Sequence, residues 1–259
     1  MSFLQRRIAL IEGRKSTISA TGYVPTGHDG IDHALGGGLM RARLHELMVD
    51  NPVELGSGAG FAAVLAGRLG GELIWLREAD AAQMGRLHAT GIAEIGSNPA
   101  RLILGVLPDA AAVLRAAADA VRCAAAGAVV VELWRNPRAL DLTASRRLAL
   151  MTAESGVTAL LLRVAAKVAP SAAQTRIRVS PAPSQPLAAN APGYPAWTIE
   201  LLRQRGRPEG GVWRVEWDRE HGILRDQAYD TAAISGAVPA FSDDGSADAV
   251  GTARIRRAG

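Results

Sequence analysis

The sequence predicts an α/β fold: a mostly parallel sheet flanked by helices, followed by an antiparallel C-terminal extension. Three observations predict it. Strand-like and helix-like segments alternate about five times between residues 42 and 164, with short connections, and each parallel strand needs such a crossover. The runs Ala128–Leu133 (AVVVEL) and Thr158–Val164 (TALLLRV) are nearly continuous apolar stretches, the pattern of strands buried on both faces. Beyond Val164 the pattern becomes alternating and turn-rich, as in antiparallel ribbons.

The elements follow in order. Leu4, Ile8 and Ile11 fall on one face of a short amphipathic N-terminal helix, and a Gly/Pro-containing stretch, TGYVPTGHDG, comes next. Ala42–Val49 reads as a strand. Gly58–Leu69 reads as a helix, with Phe61, Val64, Leu65 and Leu69 at helical spacing and Gly70–Gly71 as its stop. Leu73–Leu76 is a short strand, Asp80–Thr90 a helix closed by Gly91, and Arg101–Val106 a further strand. Asp109 can cap the Ala-rich helix after Pro108, which Gly127 is expected to terminate. Arg138–Ser155 is a helix closed by Gly156. Thr175–Ser180 alternates, PAPSQPLAANAPGYP is loop material, and Trp197–Gln204 and Val212–Asp218 form a ribbon about RGRPEGG. Residues 1–21 are expected to form an arm, 22–225 the core domain, and 226–259 a flexible tail.

Composition narrows the function classes. At 259 residues and 48% hydrophobic content the chain can bury a sizeable core. No apolar run approaches the ~18–20 residues that span a bilayer, and the charged start lacks the core of a signal peptide. The expectation is a soluble cytoplasmic protein. The single Cys123 rules out an internal disulfide and a multi-thiolate metal site. The net charge is +4, and every basic residue except Lys15 and Lys167 is Arg, a bias of composition. Seven basic residues between Arg163 and Arg207 face the lone acid Glu200. Arg176, Arg178, Arg203, Arg205 and Arg207 are therefore candidates for nucleic-acid or acidic-partner binding, with a solvated basic rim as the alternative.

The segment GHDGIDHALGGGLMRARLHEL carries Gly27, Ile31, Asp32, Leu35, Gly36, Gly37, Gly38 and Leu39. This spacing resembles the start of RecA/KaiC-type domains, a Gly triplet after Ile-Asp leading into the first core strand. The resemblance implies a RecA-like fold of the P-loop NTPase type. In such domains the next strand delivers Gly-x-x-x-x-Gly-Lys-Thr, whose amides cradle phosphate, whose Lys cancels charge and whose Thr holds Mg²⁺. Here the corresponding residues are Val53-Glu54-Leu55-Gly56-Ser57-Gly58-Ala59-Gly60. Val53 replaces the opening Gly, Ala59 the Lys and Gly60 the Thr, and Glu54 opposes an anion. ATPase activity and a bound nucleotide cofactor are therefore not expected from Gly56, Ser57, Gly58, Ala59 and Gly60.

Other RecA-like landmarks persist in altered form. Glu78, in LIWLREAD, falls at the position of the family's water-activating glutamate, and Glu132, in AVVVELW, stands where an Asp would hold the metal. The alternative is that both are strand-end acids paired with nearby Arg. Arg163-Val164 replace the polar sensor pair. RLHEL, GSGAGFAAVLAGRL and VVVELWRNPRALDL resemble the ImuA family of RecA-related mutagenesis proteins.

That resemblance implies a damage-inducible (SOS) accessory of error-prone translesion synthesis. Its implied partners are an ImuB-type Y-family-like protein, a second replicative-type polymerase and RecA itself. It also implies an indirect DNA contact and association with the nucleoid when DNA is damaged. Two alternatives stay open: a DNA-dependent ATPase or recombinase with an unconventional site, and a SulA-like inhibitor of cell division. His45-Glu46 lacks the second His of a zinc-protease helix, and no Gly-x-Ser-x-Gly elbow occurs. Trp197, Trp213 and Trp217 read as packing residues, with base stacking the alternative.

Overall fold

The computed structural model describes residues 22–227, apart from 82–84, 188, 190, 192, 208 and 209. The expected arm over 1–21 and nearly all of the expected tail lie outside the described residues. A small antiparallel ribbon pairs β1 (Tyr23–Val24) with β2 (Leu39–Met40) around α1 (Asp29–Leu35). The main sheet holds β3 (Leu44–Val49), β4 (Glu72–Glu78), β5 (Leu102–Leu107), β6 (Ala126–Trp134), β7 (Thr158–Val164), β8 (Thr175–Pro181), β9 (Ala196–Gln204), β10 (Val212–Asp218) and β11 (Ile223–Asp226). Its order is β11-β10-β9-β8-β3-β7-β6-β4-β5. Strands from β8 to β5 run parallel, whereas β9, β10 and β11 extend the sheet antiparallel.

Two apolar layers cover the sheet. On one face α2 (Leu55–Leu69) packs Phe61, Val64, Leu65 and Leu69 against Leu47, Val130, Leu162 and the antiparallel strands. On the other, α4 (Ala110–Ala120) and α5 (Leu142–Ser155) cover Ile74, Val129, Val131, Ala159 and Leu161. Every residue of β3 and β7 is buried, as strands at the centre of a two-sided sheet must be. Asp109 and Asp141 start α4 and α5 by accepting the amides of Ala112 and Ala144 at 2.7 Å, and Gly156 closes α5 in the left-handed conformation.

Five local readings change. The helix expected at 80–90 is displaced to α3 (Ala89–Glu94), with Gly91 inside it. Residues 85–88 are not helical, and the buried Arg77 guanidinium donates to the carbonyls of Ala81 and Gly85. Gly127 does not terminate α4, which ends at Ala120. It lies in β6 at a register shift against β4, where an added Cβ would sit 1.4 Å from the Gly70 carbonyl oxygen, so the residue serves close backbone approach. The region read only as a Gly/Pro stretch contains α1, capped by His28 Nδ1 and closed by Gly36. The chain after Asp218 adds β11, whose Leu224 reaches the core. Finally, α2 begins at Leu55, three residues earlier than the periodicity placed it, and that shift reshapes the candidate site.

Candidate functional site

In this fold the site expected from the sequence lies where β3 hands the chain to α2. After β3 the Asn51 side chain caps a single 3₁₀ turn, Pro52–Glu54, which runs directly into the helix. The Val53 amide bonds Asn51 Oδ1, the Glu54 amide bonds Asn51 O, and the Leu55 amide bonds Pro52 O. A phosphate loop needs its amides turned inward on a common centre. Here those of residues 53–55 are spent within the turn, and Gly56, Ser57, Gly58, Ala59 and Gly60 are helical.

Packing explains the shape. Gly58 lies against β3 and β7: an added Cβ would come within 2.3 Å of Val49 Cγ2 and 3.2 Å of Leu162 Cδ1. Ala59 is half-buried and packed on the core. Trp197, from β9, lies across the helix start, with its Nε1 donating to the Ser57 carbonyl at 2.9 Å and its ring 5.9 Å from that of Phe61. A Cβ on Gly60 would meet Trp197 at 3.4 Å. The tryptophan therefore occupies the space beside the position where a metal-holding hydroxyl would stand. Sequence reasoning placed Trp197 in a packing role without finding this contact, because it joins segments 140 positions apart.

The two strand-end glutamates differ. Glu132 is fully buried and accepts hydrogen bonds from Arg77 Nη2 at 2.9 Å, Trp75 Nε1 at 3.0 Å and Trp134 Nε1 at 3.3 Å. Glu78 is half-buried and accepts the Trp134 amide at 3.4 Å. Burial raises its carboxyl above the ordinary range; that amide opposes the shift, and the charges of Asp80, Asp109 and Glu132 add to it. Glu78 borders a cleft of about 320 Å³ shared with Asp80, Ala81, Trp134 and Arg135. Among the described residues, no group of three or more His, Cys, Asp or Glu is placed to hold a metal ion.

The basic stretch does not assemble into one patch. Arg176 is buried, its Nε 2.7 Å from Glu46 Oε2. The same carboxylate takes Arg163 Nη1 at 3.2 Å and Ser171 Oγ at 2.9 Å. Burial lowers the Arg163 pKa, and Glu46 offsets part of that shift. Arg178 bridges Asp50 at 3.0 Å and Glu200 at 2.5 Å. Arg203 donates to the carbonyls of Ala173 and Ser171. Arg205 and Arg207 are exposed, the latter donating to the His33 carbonyl at 3.4 Å. On β3, Glu46 is flanked by His45, which is buried and bonded to Thr175 Oγ1 and the Met40 carbonyl, each at 2.8 Å.

The sheet order and the helices on both faces define an α/β domain with a mostly parallel sheet. Comparison with solved structures shows this fold to be RecA-like: the crystal structure of the RadB recombinase superposes with a TM-score of 0.54 at 15% identity, covering 79% of this chain and 100% of that one. In all, 462 solved chains match, so the layout is widely shared and does not by itself select a function. No protein-family model matches the sequence, and no curated protein matches it. Among the described residues, no helix is long and apolar enough to cross a membrane.

Proposed function

We propose that this chain is a RecA-like accessory protein of a damage-induced, error-prone translesion DNA synthesis complex that acts through protein contacts and not by ATP turnover. Its proposed partners are an ImuB-type Y-family-like protein, a second replicative-type polymerase and RecA, with DNA reached through them. The observation that carries the non-catalytic part is the helix in place of a phosphate loop. Its Ala59 and Gly60 offer neither ammonium nor hydroxyl, and Trp197 lies against it. Without the counter-charge and the metal ligand, a triphosphate has little to hold it. The family resemblance of RLHEL and VVVELWRNPRALDL supports the translesion part.

The test is a titration of the full chain with fluorescent ATP and ADP, with and without Mg²⁺. The expected result is no binding tighter than about 1 mM, near −4 kcal/mol. The double substitution Ala59→Lys with Gly60→Thr should not create micromolar binding, because the backbone is helical where a loop is needed. Micromolar binding by the wild type would overturn the non-catalytic reading. Failure to co-purify with an ImuB-type protein after DNA damage would overturn the translesion assignment.

One observation favours a second reading, a DNA-dependent ATPase or recombinase-like protein: Glu78 borders an open cleft with its pKa raised, and the RadB recombinase shares the fold. ATP turnover abolished by Glu78→Gln would decide for it.

A further inference from the structure

We infer that the outer face of α5 is a docking surface for an acidic amphipathic helix of another protein. The helix carries two stripes. Ser145, Leu148 and Thr152 are buried on the sheet side. Arg146, Ala149, Leu150 and Ala153 follow the same i, i+3, i+4, i+7 spacing and line a trough of about 420 Å³. Leu150 is 62% exposed there. A lone exposed leucine means little, but this one is bracketed by two alanines, whose small side chains let a second helix approach closely.

Charge selects the occupant. Arg43, Arg146 and Arg205 rim the trough, and its lining contains no carboxylate. The side chains of Arg146 and Arg205 make no hydrogen bond or ion pair among the described residues, in contrast to Arg163 and Arg176 a short distance inside. Unpaired guanidiniums around an apolar floor suit a helix with leucines on one face and carboxylates beside them. Nucleic acid fits less well, because the lining offers no aromatic ring for base stacking and its floor is aliphatic. The surface goes beyond the accessory role proposed above and does not depend on which complex the chain joins.

The experiment uses the full chain and a fluorescein-labelled peptide of about 18 residues, Ala-rich and long enough to be helical, with Leu at i, i+3, i+4 and i+7 and four Glu flanking that stripe. Fluorescence anisotropy should give a Kd below about 100 µM. Leu150→Gln should weaken binding about tenfold. The pair Arg146→Glu with Arg205→Glu should weaken it at least as much and remove its salt dependence. All of these positions lie on the surface, so thermal melts of the variants should match the wild type.

The inference is overturned by an absence of binding below that limit or by affinities that ignore both variants. It is also overturned if a single-stranded oligonucleotide displaces the peptide and responds to the arginine variants but not to Leu150→Gln, which would make this a nucleic-acid site. A wild-type dimer in sedimentation that Leu150→Gln dissolves would make it a self-contact. None of these outcomes bears on the nucleotide titration, so the two proposals fail separately.

Discussion

Arginines inside the sheet and arginines outside α5 do opposite work. Arg77, Arg163 and Arg176 are each at most 6% exposed, and each meets a buried carboxylate. Arg146 and Arg205 are exposed and rim a trough with no acid in it. A net charge of +4 describes neither set. The inner guanidiniums are needed because an unpaired buried carboxylate is costly, and their positive charge is consumed there. Only the outer set is free to meet a partner. The contrast also bears on Glu132: its charge is answered by Arg77 and two indole N–H groups, an arrangement that fixes the carboxylate in place.

The largest effects should come from breaking the inner set. Glu46→Ala leaves Arg163 and Arg176 without their shared carboxylate, and Glu132→Ala leaves Arg77 without its own. Each should cost about 3–5 kcal/mol in urea denaturation, with Glu46→Ala the larger because two guanidiniums lose a partner. A loss below about 1 kcal/mol for Glu132→Ala would mean that the pair does not hold the sheet, and the distinction between inner and outer arginines would lose its basis.

The neighbour of Glu46 sharpens the same contrast, because it is a buried titratable group kept neutral instead of paired. Burial pushes the His45 ring from 6.5 down to about 4; its bond to the Met40 carbonyl opposes the shift and the Arg43 charge adds to it. The unfolded chain takes up the proton near pH 6.5, the folded chain only near pH 4. Stability is therefore full above pH 6.5 and falls as the pH drops towards 4, by about 3 kcal/mol from this group. Denaturation midpoints of wild type and His45→Asn across that window test it. The variant should be less stable at pH 7 but lose less on acidification, and parallel curves would exclude the histidine as the cause.

The sheet was legible where a strand is buried on both faces or alternates apolar with polar residues. Thr158–Val164 and Val212–Asp218 have the bounds their patterns indicate, because continuous burial and strict alternation leave a signal in the residues themselves. The helix start capped by Asp109 is local in the same sense. The start of α5 is not: the pattern placed it at Arg138, whereas Asp141 caps a helix that begins at Leu142. What the sequence hides is contact over distance. Gly127 reads as a helix stop until Gly70 is seen against it. The stretch up to Thr90 reads as one helix, whereas the helix there runs Ala89–Glu94 and Arg77 donates to the Ala81 and Gly85 carbonyls before it. At the candidate site, Ala59 and Gly60 are plain in the sequence, whereas the helix that already begins at Leu55 packs through Gly58 on Val49 and under Trp197 from β9, contacts between distant segments.

The smallest expected effects lie at the end of β9, where the two kinds of arginine stand two residues apart. Arg203 donates to the carbonyls of Ala173 and Ser171, so Arg203→Ala removes bonds that hold the segment leading into β8 and should cost about 1 kcal/mol. Arg205 is exposed and bonds through its backbone, its amide to the Gln174 carbonyl and its own carbonyl to the Gln174 side chain. Arg205→Ala should therefore leave stability within about 0.5 kcal/mol, while still weakening the acidic-peptide complex. A thermal melt and an anisotropy titration on the same two variants separate the roles. If Arg205→Ala destabilised the fold as much as Arg203→Ala, its guanidinium would belong with the inner set, and the rim around Leu150 would lose one of its three charges.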